Sequence, residues 1–282
     1  MEPFSTISSQ KEQIIVTPIE TKFSELKEKQ EKALVGFVSA GDPDIEKSYD
    51  IICAMIESGL DILELGIPFS DPTADGPVIQ RSSMRALKNG VTVSTVLEMT
   101  QRLKASYDIP IILFTYYNLI YRFPAADFYK RSVKSGADGV LVVDLPPEES
   151  EELTSHFNGS DFCLVHLVAP TTDETRMKMI AEKGSGFLYL ISMTGVTGGK
   201  GLETRLTAQK AEILKKHTQL PVCTGFGIST PEHVRKVAAF SDGVVIGSAF
   251  EKTIEENTGS PDLAGMIARQ TRSFKQATRK GG

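Results

Sequence analysis

Eight short apolar runs, each followed by a turn and then by a segment of helical period, constrain this chain more than any other feature. They are 34–38 (Leu-Val-Gly-Phe-Val), 61–65, 110–114 (Pro-Ile-Ile-Leu-Phe), 139–143 (Gly-Val-Leu-Val-Val), 162–168, 187–191 (Phe-Leu-Tyr-Leu-Ile), 221–224 and 243–246. A run that is apolar at nearly every position must be covered on both faces. Strands of this kind alternating with helices build a parallel sheet with helices packed over it.

The intervening segments fit helices at about 45–58, 77–88, 93–106, 124–135, 147–157, 173–183, 203–217, 230–239, 247–256 and 261–277. Asp42-Pro43-Asp44 supplies a turn and a capping group before the first of these, and Pro231 stands near the first turn of its helix. Gly59, Gly136 and Gly184 fall near helix ends, where a left-handed residue is often required. Residues 18–30 are charged, with Phe23 and Leu26 at helical spacing, and read as one more helix ahead of the first strand. Eight βα units in 282 residues point to a closed barrel, with an open doubly wound sheet as the alternative. No Gly-x-Gly-x-x-Gly follows the first strand, which counts against a dinucleotide fold. The expected fold is therefore α/β, a (β/α)8 TIM barrel with an extra N-terminal helix. Residues 1–17 are expected to be a flexible arm, 18–277 one barrel domain, and 278–282 a frayed tail.

Charge narrows the function classes. The net charge is −5, and apart from a short Arg-Lys near the C-terminus there is no basic block, so nothing favours nucleic acid or an anionic membrane. No apolar run approaches the roughly 20 residues of a membrane span, and Ile14-Ile15-Val16 is too short for a signal-peptide core. Cys53, Cys163 and Cys223 are odd in number, far apart and set in apolar segments, which reads as buried thiols of a cytoplasmic protein. His156, His166, His217 and His233 show no metal-ligand spacing, and His166 reads as a hydrogen-bonded core residue. No metal site is expected.

In a barrel the chemistry sits at the C-terminal ends of the strands. The second strand carries a carboxylate, Glu64, and runs into a loop stiffened by Pro68, Pro72 and Pro77 that holds Asp71 and Asp75. An ionised carboxylate in an apolar strand is costly unless paired or used. The plainer alternative makes Glu64 a solvated strand end and Asp75 a helix cap. Thr115 to Asn118 and Asp144 are further polar strand-end positions with no assigned role; Asp144, before two prolines, serves equally as a turn stabiliser. Glycines after the last two strands, in Gly225-Phe226-Gly227 and at Gly247 before Ser248, let backbone N–H groups approach an anion at the place where barrels recurrently bind phosphate. Ordinary tight turns would also use them. The loop 192–201, with four glycines, reads as a lid over a ligand, or else as a surface loop without a role.

Taken in order, the 63–80 stretch, Tyr116-Tyr117-Asn118, Gly195-Val196-Thr197-Gly198, Gly225-Phe226-Gly227-Ile228-Ser229 and Gly247-Ser248-Ala249 closely resemble the α subunits of tryptophan synthase over about residues 20–275. The resemblance implies a lyase that splits indole-3-glycerol phosphate into indole and glyceraldehyde 3-phosphate on a barrel needing no cofactor of its own. Indole would then pass to a pyridoxal-phosphate-dependent β subunit in a cytoplasmic αββα heterotetramer. It implies catalytic roles for Glu64 and Asp75, with Tyr189 beside the reacting centre. It also places Thr197 in the lid, where it would meet Asp75 on closure. Gly198, Gly227, Gly247 and Ser248 fall at the phosphate, Phe37, Leu141 and Phe226 around the indole, and Asp71, Pro72 and Thr73 on the loop facing the β subunit. Three departures stand out: Thr73 replaces a usual leucine, Met193 a residue often polar, and the N-terminal arm is long. Three other readings compete: a non-catalytic subunit that binds ligand and activates a β subunit, a free-standing indole-releasing lyase, or a different phosphosugar barrel enzyme such as an isomerase or epimerase, which would use a Lys, His or metal site where no strand-end His or Lys is visible.

Overall fold

The computed structural model describes residues 16–122, 125–157, 159–192 and 204–279. Eight parallel strands close on themselves in chain order: β1 Ala33–Ser39, β2 Ile62–Gly66, β3 Ile111–Thr115, β4 Gly139–Val142, β5 Cys163–Val168, β6 Leu188–Ile191, β7 Val222–Gly225 and β8 Gly243–Ile246. The ring is completed where β1 pairs with β8 at Ala33–Gly243 through Gly36–Ile246. The helices are α1 Pro18–Glu28, α2 Ile45–Glu57, α3 Pro77–Lys88, α4 Val93–Ser106, α5 Tyr117–Tyr121, α6 Ala125–Ser135, α7 Glu151–Thr154, α8 Glu174–Lys183, α9 Thr204–Lys215, α10 Pro231–Ala238, α11 Ser248–Glu256 and α12 Leu263–Ala277. The fold is the (β/α)8 barrel with an added N-terminal helix.

Each strand is buried on both faces because alternate side chains serve different layers. Leu34, Leu63, Leu65, Ile111, Leu113 and Val140 point outward into the layer beneath the helices. Val35, Ile62, Ile112, Leu141, Val165, Cys223 and Val245 point inward and fill the barrel. Helix α1 plugs the N-terminal end of that interior. Its Ile19, Phe23 and Leu26 are buried in the inward cluster, and the Phe23 ring meets Phe187 edge-on at 6.0 Å. With α1 filling the lower end of the interior, the C-terminal ends of the strands are where a barrel places its ligand.

Several expectations need correction. Thr17, assigned to the arm, is the N-cap of α1 in a capping box with Glu20. Thr278 is buried and Arg279 bonds Glu31, so these first two residues of the expected frayed tail are held in place. The helix expected over 147–157 is a 3-10 turn, Pro147–Glu149, followed by the four-residue α7. There the Ser150 hydroxyl donates to the Pro147 carbonyl at 2.8 Å, a local bond that competes with helix continuation. Gly59 and Gly136 adopt positive φ as expected, but Gly184 leaves α8 in extended backbone at φ −80°. Cys53 is only half-buried, unlike Cys163 and Cys223. His166 is buried, yet its Nε2 has no hydrogen-bond partner among the described residues, and burial holds the ring down at about 4 and hence neutral. The arm before residue 16 and the proposed lid, with Met193, Thr197 and Gly198, lie outside the described residues.

Candidate active site

Glu64 is the middle residue of β2 and occupies an inward position between Ile62 and Gly66, beside Phe37 on β1 and Ile112 on β3. It is 1% exposed, and its Oε1 has no hydrogen-bond partner among the described residues. Burial alone raises its pKa to about 8, since nothing compensates for the loss of water around the charged form. The solvated strand end is thereby excluded. At neutral pH Glu64 is a protonated acid aimed into the barrel.

Asp75 stands at the end of the loop that follows the same strand. Two local bonds shape that loop, Thr73 N–H to the Asp71 carbonyl at 2.9 Å and Asp75 N–H to the Pro72 carbonyl at 3.0 Å. Tyr116, at the end of β3, holds it from the side. Its ring stacks on Phe69 at 5.1 Å, its hydroxyl oxygen accepts the Ala74 N–H at 3.1 Å, and the hydroxyl also bonds the Asp75 carboxylate. Burial raises Asp75 to about 6, with the Tyr116 bond pulling the other way. The carboxylate is therefore mostly ionised at pH 7. It does not cap α3, whose N-cap is Gly76 without a side-chain bond.

Tyr189, inward on β6, completes the group. Its phenol is raised well above its ordinary value by burial first, then by the charges of Glu64, Cys223 and Asp75. Glu64 and Asp75 thus both lie near enough to Tyr189 to act on its phenol. The neighbouring strand makes room for the phenol, since a Cβ at Gly225 would lie 2.3 Å from the Tyr189 Oη. Beyond Gly225 the chain turns through two left-handed residues, Phe226 at φ 93° and Gly227 at φ 71°. The Ser192 hydroxyl donates to the Phe226 carbonyl at 2.5 Å and pins that turn to the end of β6. Next to it α11 begins at Ser248, with Gly247 as an N-cap that offers no side-chain bond to the first N–H groups. A helix N-terminus left open in this way beside a glycine turn suits an anion. Among the described residues no three His, Cys, Asp or Glu side chains are grouped to hold a metal ion.

Comparison with known proteins gives the family. Residues 23–279 match the family model described as tryptophan synthase alpha chain. The chain belongs to that family. It is 60% identical over 257 residues to the tryptophan synthase alpha chain of Desulfosudis oleivorans, covering 91% of this chain and 97% of the relative. It is 59% identical over 261 residues to that of Desulfatibacillum aliphaticivorans, covering 93% and 98%. The crystal structure of tryptophan synthase subunit alpha from Legionella pneumophila superposes with a TM-score of 0.86 at 34% identity, covering 94% of this chain and 99% of that one. Membership of the tryptophan synthase alpha chain family makes the chain a carbon–carbon lyase of tryptophan biosynthesis.

The remaining family positions fall as follows. Phe37 is 6% exposed, packs edge-on against Phe114 at 4.9 Å, and lies against Gly66 and Gly247. Phe226 is 47% exposed on the rim. Leu141, the register partner of Phe114, has no accessible surface and belongs to the packed interior. Asp71 and Thr73 are exposed on either side of buried Pro72, at the outer edge of the catalytic loop. Asp144 accepts the Tyr117 N–H at 2.7 Å and so supports the first turn of α5. Reading the residues in order missed the roles of Tyr116 and Ser192. Both stand at strand ends, the one signal available, but a tyrosine or serine there is as often packing or turn.

Proposed function

We propose that Glu64 and Asp75 divide the cleavage of indole-3-glycerol phosphate between them. The observation that carries this reading is that two carboxyl groups of one site ionise two units apart, Glu64 at about 8 and Asp75 at about 6. Between those values one is an acid and the other an anion. Glu64 gives its proton to indole C3, which puts positive charge on the ring nitrogen. The Asp75 carboxylate accepts the indole N–H and offsets that charge. Glu64, now a carboxylate, takes the proton of the glyceryl hydroxyl as the bond from C3 breaks. The electron pair of that bond returns to the ring, the hydroxyl carbon becomes the aldehyde of glyceraldehyde 3-phosphate, and Glu64 regains its starting form. Tyr189 packs beside the reacting centre, and Phe37 and Phe226 flank the indole, with Leu141 behind.

The phosphate is held by backbone N–H groups of Gly227, Gly247 and Ser248, with Gly198 joining from the lid. This anchoring fixes the far end of the substrate and sets its orientation. Lid closure brings Thr197 to Asp75. The chain uses no cofactor of its own. Indole passes to a pyridoxal-phosphate-dependent β subunit across the face that carries Asp71, Pro72 and Thr73, in a cytoplasmic αββα heterotetramer.

Indole release from indole-3-glycerol phosphate, followed with and without a β subunit, tests the reading. Wild-type protein is expected to turn over and to accelerate with the partner, while Glu64→Gln loses turnover but keeps its fold and its affinity for glycerol 3-phosphate. Near-wild-type indole release by Glu64→Gln would sink the assignment. Asp75→Asn is expected to lower turnover by roughly two to three powers of ten, as for loss of a main electrostatic stabiliser. A loss below about tenfold would mean that another group holds the nitrogen.

A further inference from the structure

Behind the phosphate-type turns lies a buried polar network that the lyase mechanism does not use. Glu251 stands in the first turn of α11 and has no exposed surface. Its Oε1 accepts the backbone N–H of Ser39, the last residue of β1, at 2.5 Å. Its Oε2 is buried without a hydrogen-bond partner among the described residues, and the carboxyl group lies close enough to that of Asp42 to interact with it. Asp42 is 1% exposed and is gripped by Arg85 of α3 through two bonds of 2.7 Å. Arg85 also bonds Glu255, one turn further along α11, at 2.8 Å, and Glu255 forks with Arg81 of α3 at 2.6 and 2.8 Å. The contacts form a ring running from α11 to the end of β1, to α3 and back to α11. The ring therefore fixes two helix starts relative to each other: α3 begins two residues after Asp75, and α11 begins at Ser248.

Glu251 is an odd choice for that place. A carboxylate in the first turn would spend the helix's positive end on itself and repel a phosphate bound just beyond it. It would also face the negative Asp42, while the nearby Arg85 is already bonded to Asp42 and Glu255. Burial first and then Asp42 push Glu251 well above its ordinary value, against the pull of the Ser39 N–H and of Arg85, and so favour its neutral form. A neutral acid accepts the Ser39 N–H and directs its proton toward Asp42, and it leaves the field of the helix free for the ligand.

We propose that Glu251 is a positioning residue for the lyase reaction, tying the start of α11 to β1 and to the Asp42–Arg85 pair so that the phosphate turn and the Asp75 loop keep a fixed separation. The inference rests on the phosphate reading of Gly247 and Ser248. Its test compares Glu251→Leu with Glu251→Gln in the full chain, by affinity for glycerol 3-phosphate and by kcat and KM for indole release. Losing the buried link is expected to weaken glycerol 3-phosphate binding and lower kcat/KM by about tenfold each in Glu251→Leu. Glu251→Gln, neutral and able to make both contacts, should restore both to within about threefold. A lowered melting temperature with unchanged affinity and kcat/KM would make Glu251 merely structural and overturn the proposal. So would a Gln variant as impaired as the Leu variant, since then the charge, not the neutral acid, is needed.

Should Glu251→Leu fail to fold, infrared difference spectra of wild type minus Glu251→Gln decide the matter. They should contain a carboxylic-acid carbonyl band that shifts when glycerol 3-phosphate binds; the Glu64 band cancels because it is common to both. No such band, or a band indifferent to the ligand, overturns the proposal. Wild type that binds no glycerol 3-phosphate overturns the phosphate reading and the inference together. Wild type that binds it, with the Leu variant unaffected, overturns the inference alone.

Discussion

At Glu64 the chemistry and the stability of the protein pull in opposite directions. The folded carboxyl binds its proton up to about 8, while the unfolded one releases it near 4.5. Between those values the folded state holds the extra proton, so stability is greatest below pH 4.5 as far as this group is concerned, falls as pH rises through the window, and levels off above 8. Glu64→Gln has no such window. The stability difference, variant minus wild type, should grow by several kcal/mol between pH 4.5 and 8, on the order of the shift in pKa. Denaturant titrations at a series of pH values measure it, and a flat difference would mean that Glu64 is solvated. The same two groups set the rate. For the free enzyme kcat/KM should fall below about pH 6, as Asp75 gains a proton, and above about pH 8, as Glu64 loses one. Tyr116→Phe removes the hydroxyl that bonds Asp75 and lowers its pKa, so the acidic limb should move upward, by about one unit for one lost hydrogen bond. An acidic limb that stays in place would show that Asp75 does not depend on Tyr116.

Among the elements, the strands were readable in the sequence because a parallel barrel strand is buried on both faces and leaves a continuous apolar run; all eight appear within one or two residues of the expected bounds. Helix α5 was not, since five residues, Tyr117–Tyr121, are too few to display a helical period. The helix expected over 147–157 failed for a local reason, the bond from the Ser150 hydroxyl to Pro147, which no periodicity encodes. In the site, Glu64 announced itself as a lone carboxylate in an apolar strand, and Gly247-Ser248 as a glycine turn before a helix, whereas the role of Tyr189 came only from the family resemblance. Gly225 shows how one signal hides two causes. Its place at the end of β7 suggested an anion turn, but a side chain there would first strike the Tyr189 hydroxyl and the Val245 side chain. Gly225→Ala should therefore displace Tyr189 and cost about 10- to 100-fold in kcat while the far-ultraviolet circular dichroism stays unchanged. An unimpaired variant would show that the position of the Tyr189 ring does not matter to the reaction.

Across the whole molecule the two ends of the barrel carry different burdens. The C-terminal face holds a buried acid whose Oε1 has no partner among the described residues, a left-handed turn at Phe226 and an open helix start, each a cost to folding. At the N-terminal face helix α1 plugs the barrel interior with Ile19, Phe23 and Leu26, and the last helix is held there by an ion-pair cluster. There Lys275, 8% exposed, bonds Glu31 at 2.9 Å and Asp61 at 2.8 Å, and Asp61 in turn accepts the Leu34 N–H at 2.7 Å. A buried cation shared by two carboxylates, one of which also accepts a β1 backbone N–H, ties together the chain before β1, the start of β2 and α12. This division predicts separable phenotypes. Phe23→Ala opens a cavity beneath the interior cluster and should cost about 3 kcal/mol, or a fall of about 10 °C in melting temperature. Its kcat/KM at 25 °C, corrected for folded fraction, should stay within about twofold of wild type, because the plug meets the inward cluster from the end opposite Asp75 and Ser248. The measurement pairs calorimetry with steady-state indole release on the same preparation. A tenfold loss of kcat/KM in a fully folded Phe23→Ala would show that the plug and the catalytic face are coupled through the barrel interior, and the separation of stability from catalysis would not hold.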